Sequence, residues 1–158
     1  MGLPGGKYRY LSSMKRHAAI APFSRDHHEA LITAQLIKKD APNYRGLPET
    51  IEGKKEYVIR YYDLHLKDHF SKEESILFNL SRNIDSEIDL LMDELIVEHR
   101  LIESLIEKLS TDPQTETLLD QLGKLMESHI RQEERILFQL LQEKLPPGKF
   151  KEIEDRFV

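Results

Sequence analysis

The stretch His69-Phe70-Ser71-Lys72-Glu73-Glu74-Ser75-Ile76-Leu77-Phe78-Asn79-Leu80 returns as His129-Ile130-Arg131-Gln132-Glu133-Glu134-Arg135-Ile136-Leu137-Phe138-Gln139-Leu140. Seven of the twelve positions are identical, His, Glu and Glu among them. Each copy is H-x-x-x-E followed by an apolar run. On a helix, residues i and i+4 lie one above the other. Each copy therefore points an imidazole and a carboxylate the same way, and two such pairs face to face suit two metal ions.

Helical signals extend outward from the repeat. Ser24 is placed to cap a first helix reaching about residue 39. Residues 41–48 carry loop chemistry, and Pro48 suits the first position of a second helix that continues to about residue 81. Gly53 weakens its start, which places the firm part from about Lys55. Asn83 and Asp85 mark a turn before a third helix over 86–109. Asp112 and Pro113 read as the cap and first residue of a fourth helix, which runs to about Lys144. Pro146-Pro147-Gly148 ends it, and residues 149–157 suit a short tail helix. No segment shows strand alternation. The expected fold is all-α: an up-down-up-down four-helix bundle over residues 23–145. An N-terminal arm (1–22), with a turn around Leu11–Arg16, precedes it, and a tail (146–158) follows.

The faces of these helices carry the functional signal. His69 has Tyr62, Leu66, Ile76, Leu77 and Leu80 at helical spacing, and His129 has Leu122, Leu125, Met126, Ile136 and Leu137. His99 lies among Met92, Leu95, Ile96, Ile102 and Ile106. Each histidine thus sits inside an apolar stripe that faces the core, and so do Glu73 and Glu133. A buried carboxylate without a partner costs several kcal/mol or more, and bound cations offset that directly. On the first helix both His27 and His28 are available. His28 has Leu31 three residues on, as His99 has Ile102, so that alignment favours His28. Glu74 and Glu134 fall nearer the stripe edge, as solvated or supporting groups. His65 reads as a supporting donor, Glu103 as a possible extra ligand, and Tyr61 and Tyr62 as packing residues. His17 has no assigned role.

Composition narrows the chemistry. The 158 residues, 39% hydrophobic and 32% charged, suit one domain with a real core. A net charge of −5 argues against nucleic acid as a partner. There is no cysteine, which excludes thiolate sites, Fe–S clusters and disulfides. Any metal is held by nitrogen and oxygen, which suits iron, manganese or zinc. No apolar run approaches the roughly 18 residues of a membrane span. The N-terminus lacks a signal-peptide core, so the expected location is the cytoplasm.

Ferritin-type sites use E-x-x-H, the reverse order at shorter spacing. The order here resembles the hemerythrin-like family, also called the HHE cation-binding domain. The matching stretches are Arg25-Asp26-His27-His28-Glu29, His69-x-x-x-Glu73-Glu74-x-x-Leu77-Phe78, Glu98-His99-Arg100 and His129-x-x-x-Glu133-Glu134-x-x-Leu137-Phe138. The resemblance implies a non-haem, carboxylate-bridged di-iron centre in a four-helix bundle. It implies His28 (or His27), His69, His99 and His129 as nitrogen ligands, with Glu73 and Glu133 as bridges. Oxygen-carrying members have H-x-x-x-H on the third helix and H-x-x-x-x-D on the fourth, whereas this chain has Leu95 and Glu103 around His99, and Glu133. The more carboxylate-rich set argues against reversible oxygen carriage and points to iron or oxygen sensing, iron storage, or redox chemistry such as peroxide turnover. The chain is expected to function in oxygen or iron binding, sensing or redox handling, with metal ions and dioxygen or peroxide as partners. It reads as a binding protein before an enzyme. Two other readings stay open: a di-iron peroxidase or oxidase, and a metal-free helical interaction module.

Overall fold

The computed structural model describes residues 15–157. Residues 1–14, with most of the turn expected around Leu11–Arg16, lie outside them. Every regular element described is helical: α1 (Ala21–Ile37), α2 (Ile51–Tyr61), π1 (Tyr62–Leu66), α3 (Lys67–Lys72), π2 (Glu73–Phe78), α4 (Ser86–Leu109), α5 (Thr115–Gln132), π3 (Glu133–Leu137), α6 (Phe138–Lys144) and α7 (Pro147–Asp155). α2 to π2 run on as one rod, and α5 to α6 as another. With α1 and α4 they make four long rods, and α7 closes the chain. None of the described helices is long and apolar enough to cross a membrane.

Several helix starts differ from expectation. α1 begins at Ala21, with Pro22 in its first turn. Ser24 is therefore inside the helix, and its hydroxyl donates to Glu134 Oε1 at 2.9 Å instead of capping. α2 begins at Ile51, because the Thr50 hydroxyl accepts from the Gly53 amide at 3.0 Å. A Cβ on Gly53 would stand 2.9 Å from that hydroxyl oxygen, so the glycine makes room for the cap. α4 starts as expected, with the Asp85 carboxylate accepting from the amides of Glu87 and Ile88. α5 starts at Thr115 because Asp112 spends its carboxylate on the Gln114 amide at 2.8 Å, shaping the turn before the helix. The tail helix begins two residues early, at Pro147, a residue preorganised for a first helical position. Asn83 takes φ 64° in the expected turn, a conformation its short polar side chain tolerates.

α1 packs along α5, and α5 also packs against α4 and α2. The α1–α5 contact depends on Gly123. A Cβ there would lie 2.6 Å from the Ala34 carbonyl oxygen and 3.0 Å from Ile37 Cγ1. Alanine is the better helix former by about 1 kcal/mol, but a forced backbone shift costs about 1–3 kcal/mol. Gly123→Ala is therefore expected to lower stability by about 1 kcal/mol net, read as a lower urea midpoint.

The core has two apolar blocks. One gathers Ala30, Ala34, Val58, Phe70, Ile102, Leu122 and Ile130 with their neighbours. The other gathers Phe23, Leu77, Phe78, Leu95, Leu137 and Phe138 with theirs. Between the blocks each rod carries one polar level: His27, His69 with Glu73, His99, and His129 with Glu133.

Candidate metal centre

All six of these side chains are buried, Glu73, His99 and Glu133 completely. Their donor atoms form two groups, His27, His69, Glu73 and Glu133, and His99, His129, Glu73 and Glu133, each within 4.8 Å. Both glutamates belong to both groups. In the first, Glu73 Oε2 lies 3.3 Å from His69 Nε2 and 3.8 Å from His27 Nε2. Glu133 Oε2 lies 3.5 Å from His27 Nε2. In the second, Glu73 Oε1 lies 3.2 Å from His99 Nε2, and Glu133 Oε1 lies 2.5 Å from His129 Nε2. Each carboxylate thus sends one oxygen to each group.

These close contacts are not hydrogen bonds of acceptable geometry. The four Nε2 atoms and all four Glu73 and Glu133 oxygens are buried without a hydrogen-bond partner. Buried polar atoms are nearly always satisfied, and eight orphans aimed at one another form an exception that needs a cause. A cation accepts lone pairs from imidazole and carboxylate alike, so it satisfies both kinds of donor atom at once. The residues present therefore fit bound metal cations.

The opposite ring nitrogens are all satisfied. His27 Nδ1 meets Glu134 at 2.6 Å, His69 Nδ1 meets Asp26 at 2.9 Å, His99 Nδ1 meets Glu74 at 2.7 Å and His129 Nδ1 meets Glu98 at 2.8 Å. The pairs form a closed cycle, since each rod supplies a carboxylate to a histidine of the next. A carboxylate on Nδ1 fixes the tautomer that leaves Nε2 free to ligate. Neighbouring residues on a helix point about 100° apart. The doublets Asp26-His27, Glu73-Glu74, Glu98-His99 and Glu133-Glu134 thus each put one group inward and one sideways. Arg16 and Ser24 hold Glu134, and Arg100 holds Glu74.

π2 and π3 begin at Glu73 and Glu133 themselves. Widened turns of this kind concentrate at functional sites. After the glutamate, each inserted residue lets Leu77 with Phe78, and Leu137 with Phe138, return to the core. The Glu134 carbonyl at π3 accepts from Gln139 Nε2 at 2.9 Å and from Arg16 at 2.6 Å. The repeat is also visible in aromatic packing. Phe138 stacks on His27 at 5.6 Å, as Phe78 stacks on His99 at 6.1 Å. Phe70, which has Ile130 as its counterpart, adds a second ring against His99 at 3.9 Å.

Without a cation the cluster holds protons. Burial by itself lowers the imidazoles, but the facing carboxylates outweigh it. They raise His27 to about 9 and His99 to about 10, and raise His69 and His129 as well. Burial pushes the Glu133 carboxyl up, yet the facing imidazoles, His129 foremost, hold it well below the usual carboxylate range.

His69, Glu73, His99, His129 and Glu133 come together as the sequence grouped them. The favoured first-helix residue does not: His28 is exposed, and His27 occupies the cluster. Phe23 and Ala30 are buried with His27, and one position of rotation carries His28 off that face. Glu103 lies outside the cluster, bound to Arg100 at 2.8 Å, and His65 is exposed. His17 stacks on Phe150 at 4.1 Å. Sequence reasoning missed Asp26 and Glu98 as histidine partners, although the acidic residue beside each ligand was a readable signal.

An all-helical chain with a buried His/Glu cluster of this kind is a cation-binding helical protein in its architecture. The family model of the hemerythrin HHE cation-binding domain matches residues 18–141, and the chain belongs to that family. Comparison with curated proteins finds no match, and neither does comparison with solved structures.

Proposed function

We propose that the chain is a hemerythrin-like protein with a non-haem di-iron centre, and that it binds or senses oxygen or iron or handles their redox state. The four rods are read as an up-down-up-down bundle. His27 and His69 would hold one ion and His99 and His129 the other, with Glu73 and Glu133 common to both groups. The observation that carries this reading is the set of orphaned Nε2 and carboxylate atoms, divided into two groups that share both glutamates.

An iron pair, when bound, supplies redox chemistry toward dioxygen or peroxide. The protein's part is to hold charge and exclude water. Six carboxylates (Asp26, Glu73, Glu74, Glu98, Glu133, Glu134) and two guanidiniums (Arg16, Arg100) surround the site. Two dications bring that set to neutrality, and four imidazolium protons do the same without metal. The site thus exchanges protons for cations at constant charge.

Metal analysis of protein purified without chelator tests the reading. About two irons per chain are expected, as in a site built to take them. Less than about one iron or manganese per two chains, after reloading, overturns it. Glu134→Ala strips the partner from His27 Nδ1 and is expected to weaken cation binding about 10–100-fold, measured by competition with a chelator.

A further inference from the structure

The two ends of the cluster differ in what surrounds them. At the His99/His129 end, Phe70 and Phe78 stack on His99, which is 0% exposed. Its supporting carboxylates are held a second time, Glu74 by Arg100 and Glu98 by Gln132 at 3.4 Å. At the His27/His69 end, Glu134 is held in the same way, by Arg16 and Ser24. Asp26 is not. Its side chain is 58% exposed, against 24%, 20% and 24% for Glu74, Glu98 and Glu134. Among the described residues its carboxylate has no hydrogen bond besides that to His69.

Directly outside the Asp26–His69 pair lies a cleft of about 430 Å³, lined among others by Asp26, His28, Glu29, His65 and His69. Of the three histidines that the cluster leaves unused, His28 and His65 line this cleft, and both are exposed. Neither they nor the Glu29 carboxylate has a side-chain hydrogen bond among the described residues. They are not a second holding site, because the only groups of three or more donors close enough to hold an ion, among the described residues, are the two in the core. Spaced donors suit passage: a hydrated cation exchanges its waters for them a few at a time before it is buried.

We propose that cations reach and leave the centre at the His27/His69 end, through this cleft, with the Asp26–His69 pair as the gate. His28, His65 and Glu29 act as stepping donors outside it. The proposal rests on the reading of the cluster as a two-cation site. A hydrogen bond to a singly held, exposed carboxylate opens without unpacking any rod, whereas at the opposite end both supporting carboxylates are less exposed and held a second time. The two positions should therefore fill and empty at different rates.

The test uses cobalt(II), whose visible absorption reports binding to nitrogen and oxygen donors. Metal-free full-length protein is mixed with cobalt(II) in a stopped-flow instrument, and loaded protein is stripped with a chelator. Wild-type protein should show two phases of equal amplitude in each direction, about tenfold or more apart. Asp26→Asn should speed the faster release phase about tenfold and leave the slower one in place, whereas Glu98→Gln should leave the faster one in place. His65→Ala, an exposed change, should slow the faster loading phase severalfold while the chain still takes up two cations. One phase in wild type, or Asp26→Asn and Glu98→Gln acting on the same phase, overturns the proposal. So does a His65→Ala loading rate equal to wild type. Failure of wild-type protein to take up cobalt(II), iron or manganese at all sinks the two-cation reading itself, a result distinct from binding with unchanged rates.

Discussion

Loading the metal-free protein with two dications at pH 7 is expected to release at least about two protons per chain. The facing carboxylates raise all four imidazoles, His27 to about 9 and His99 to about 10, so at least these two are protonated at neutral pH in the unloaded site. A cation needs each Nε2 lone pair and must displace each proton. The binding constant for the pair should then fall by roughly two powers of ten or more per pH unit below neutrality. Titration calorimetry in two buffers of different ionisation heat counts the protons directly. Release of fewer than about one proton per dication would mean that the imidazoles are not the ligands.

The same shifts give the unloaded protein an opposite dependence. A raised folded-state value means that the charged imidazole stabilises the fold. That stabilisation is fully present below the ordinary value near 6.5 and is lost as pH rises through about 9 to 10. Metal-free protein should therefore lose melting temperature across that alkaline window. Loaded protein should hold its stability there and lose it in acid, where protons displace the cations. Parallel melting curves for the two forms against pH would contradict this assignment of charge.

Loss of Glu73 should abolish both cation positions together. Its Oε2 faces His69 and its Oε1 faces His99, so Glu73→Ala removes an oxygen from each group. Losing only an outer partner of a ligand costs about 10–100-fold, and losing a shared ligand should cost at least the upper end of that range at each position. His27→Ala should empty one position and spare the other. His28→Ala should leave both filled, because the His28 side chain is outside the cluster. The unloaded Glu73→Ala protein should still fold, since one imidazole then sheds its proton and the core stays neutral. Metal content with circular dichroism on the same sample separates loss of the site from loss of the fold. Retention of one full equivalent by Glu73→Ala would show that Glu73 is not shared.

The sequence was most legible where one helix settles the matter. His69 with Glu73 and His129 with Glu133 share a face by spacing alone. The apolar residues around them and around His99 put those faces inward. It was least legible where two adjacent residues compete. His27 and His28 differ by about 100° of rotation on a short helix whose apolar residues are spread round it, and only packing against α5 and the second rod selects His27. The Thr50 cap was hidden behind Gly53, which read as a weak spot and proves to be the space that the cap requires.

By itself the sequence determined an all-helical chain, the position of its rods and the buried placement of a duplicated His/Glu pair. Hydrophobic periodicity and i,i+4 geometry are local properties of a single helix. The tertiary structure decided the rest: His27 over His28, the cycle of carboxylates behind the four histidines, and the unequal exposure of those carboxylates. Each of those depends on the rotation of one rod against another, and on widened turns at Glu73 and Glu133 that no spacing rule within a rod predicts. A side chain's partner on a neighbouring helix is set by how the rods pack, so it appears only once they are together.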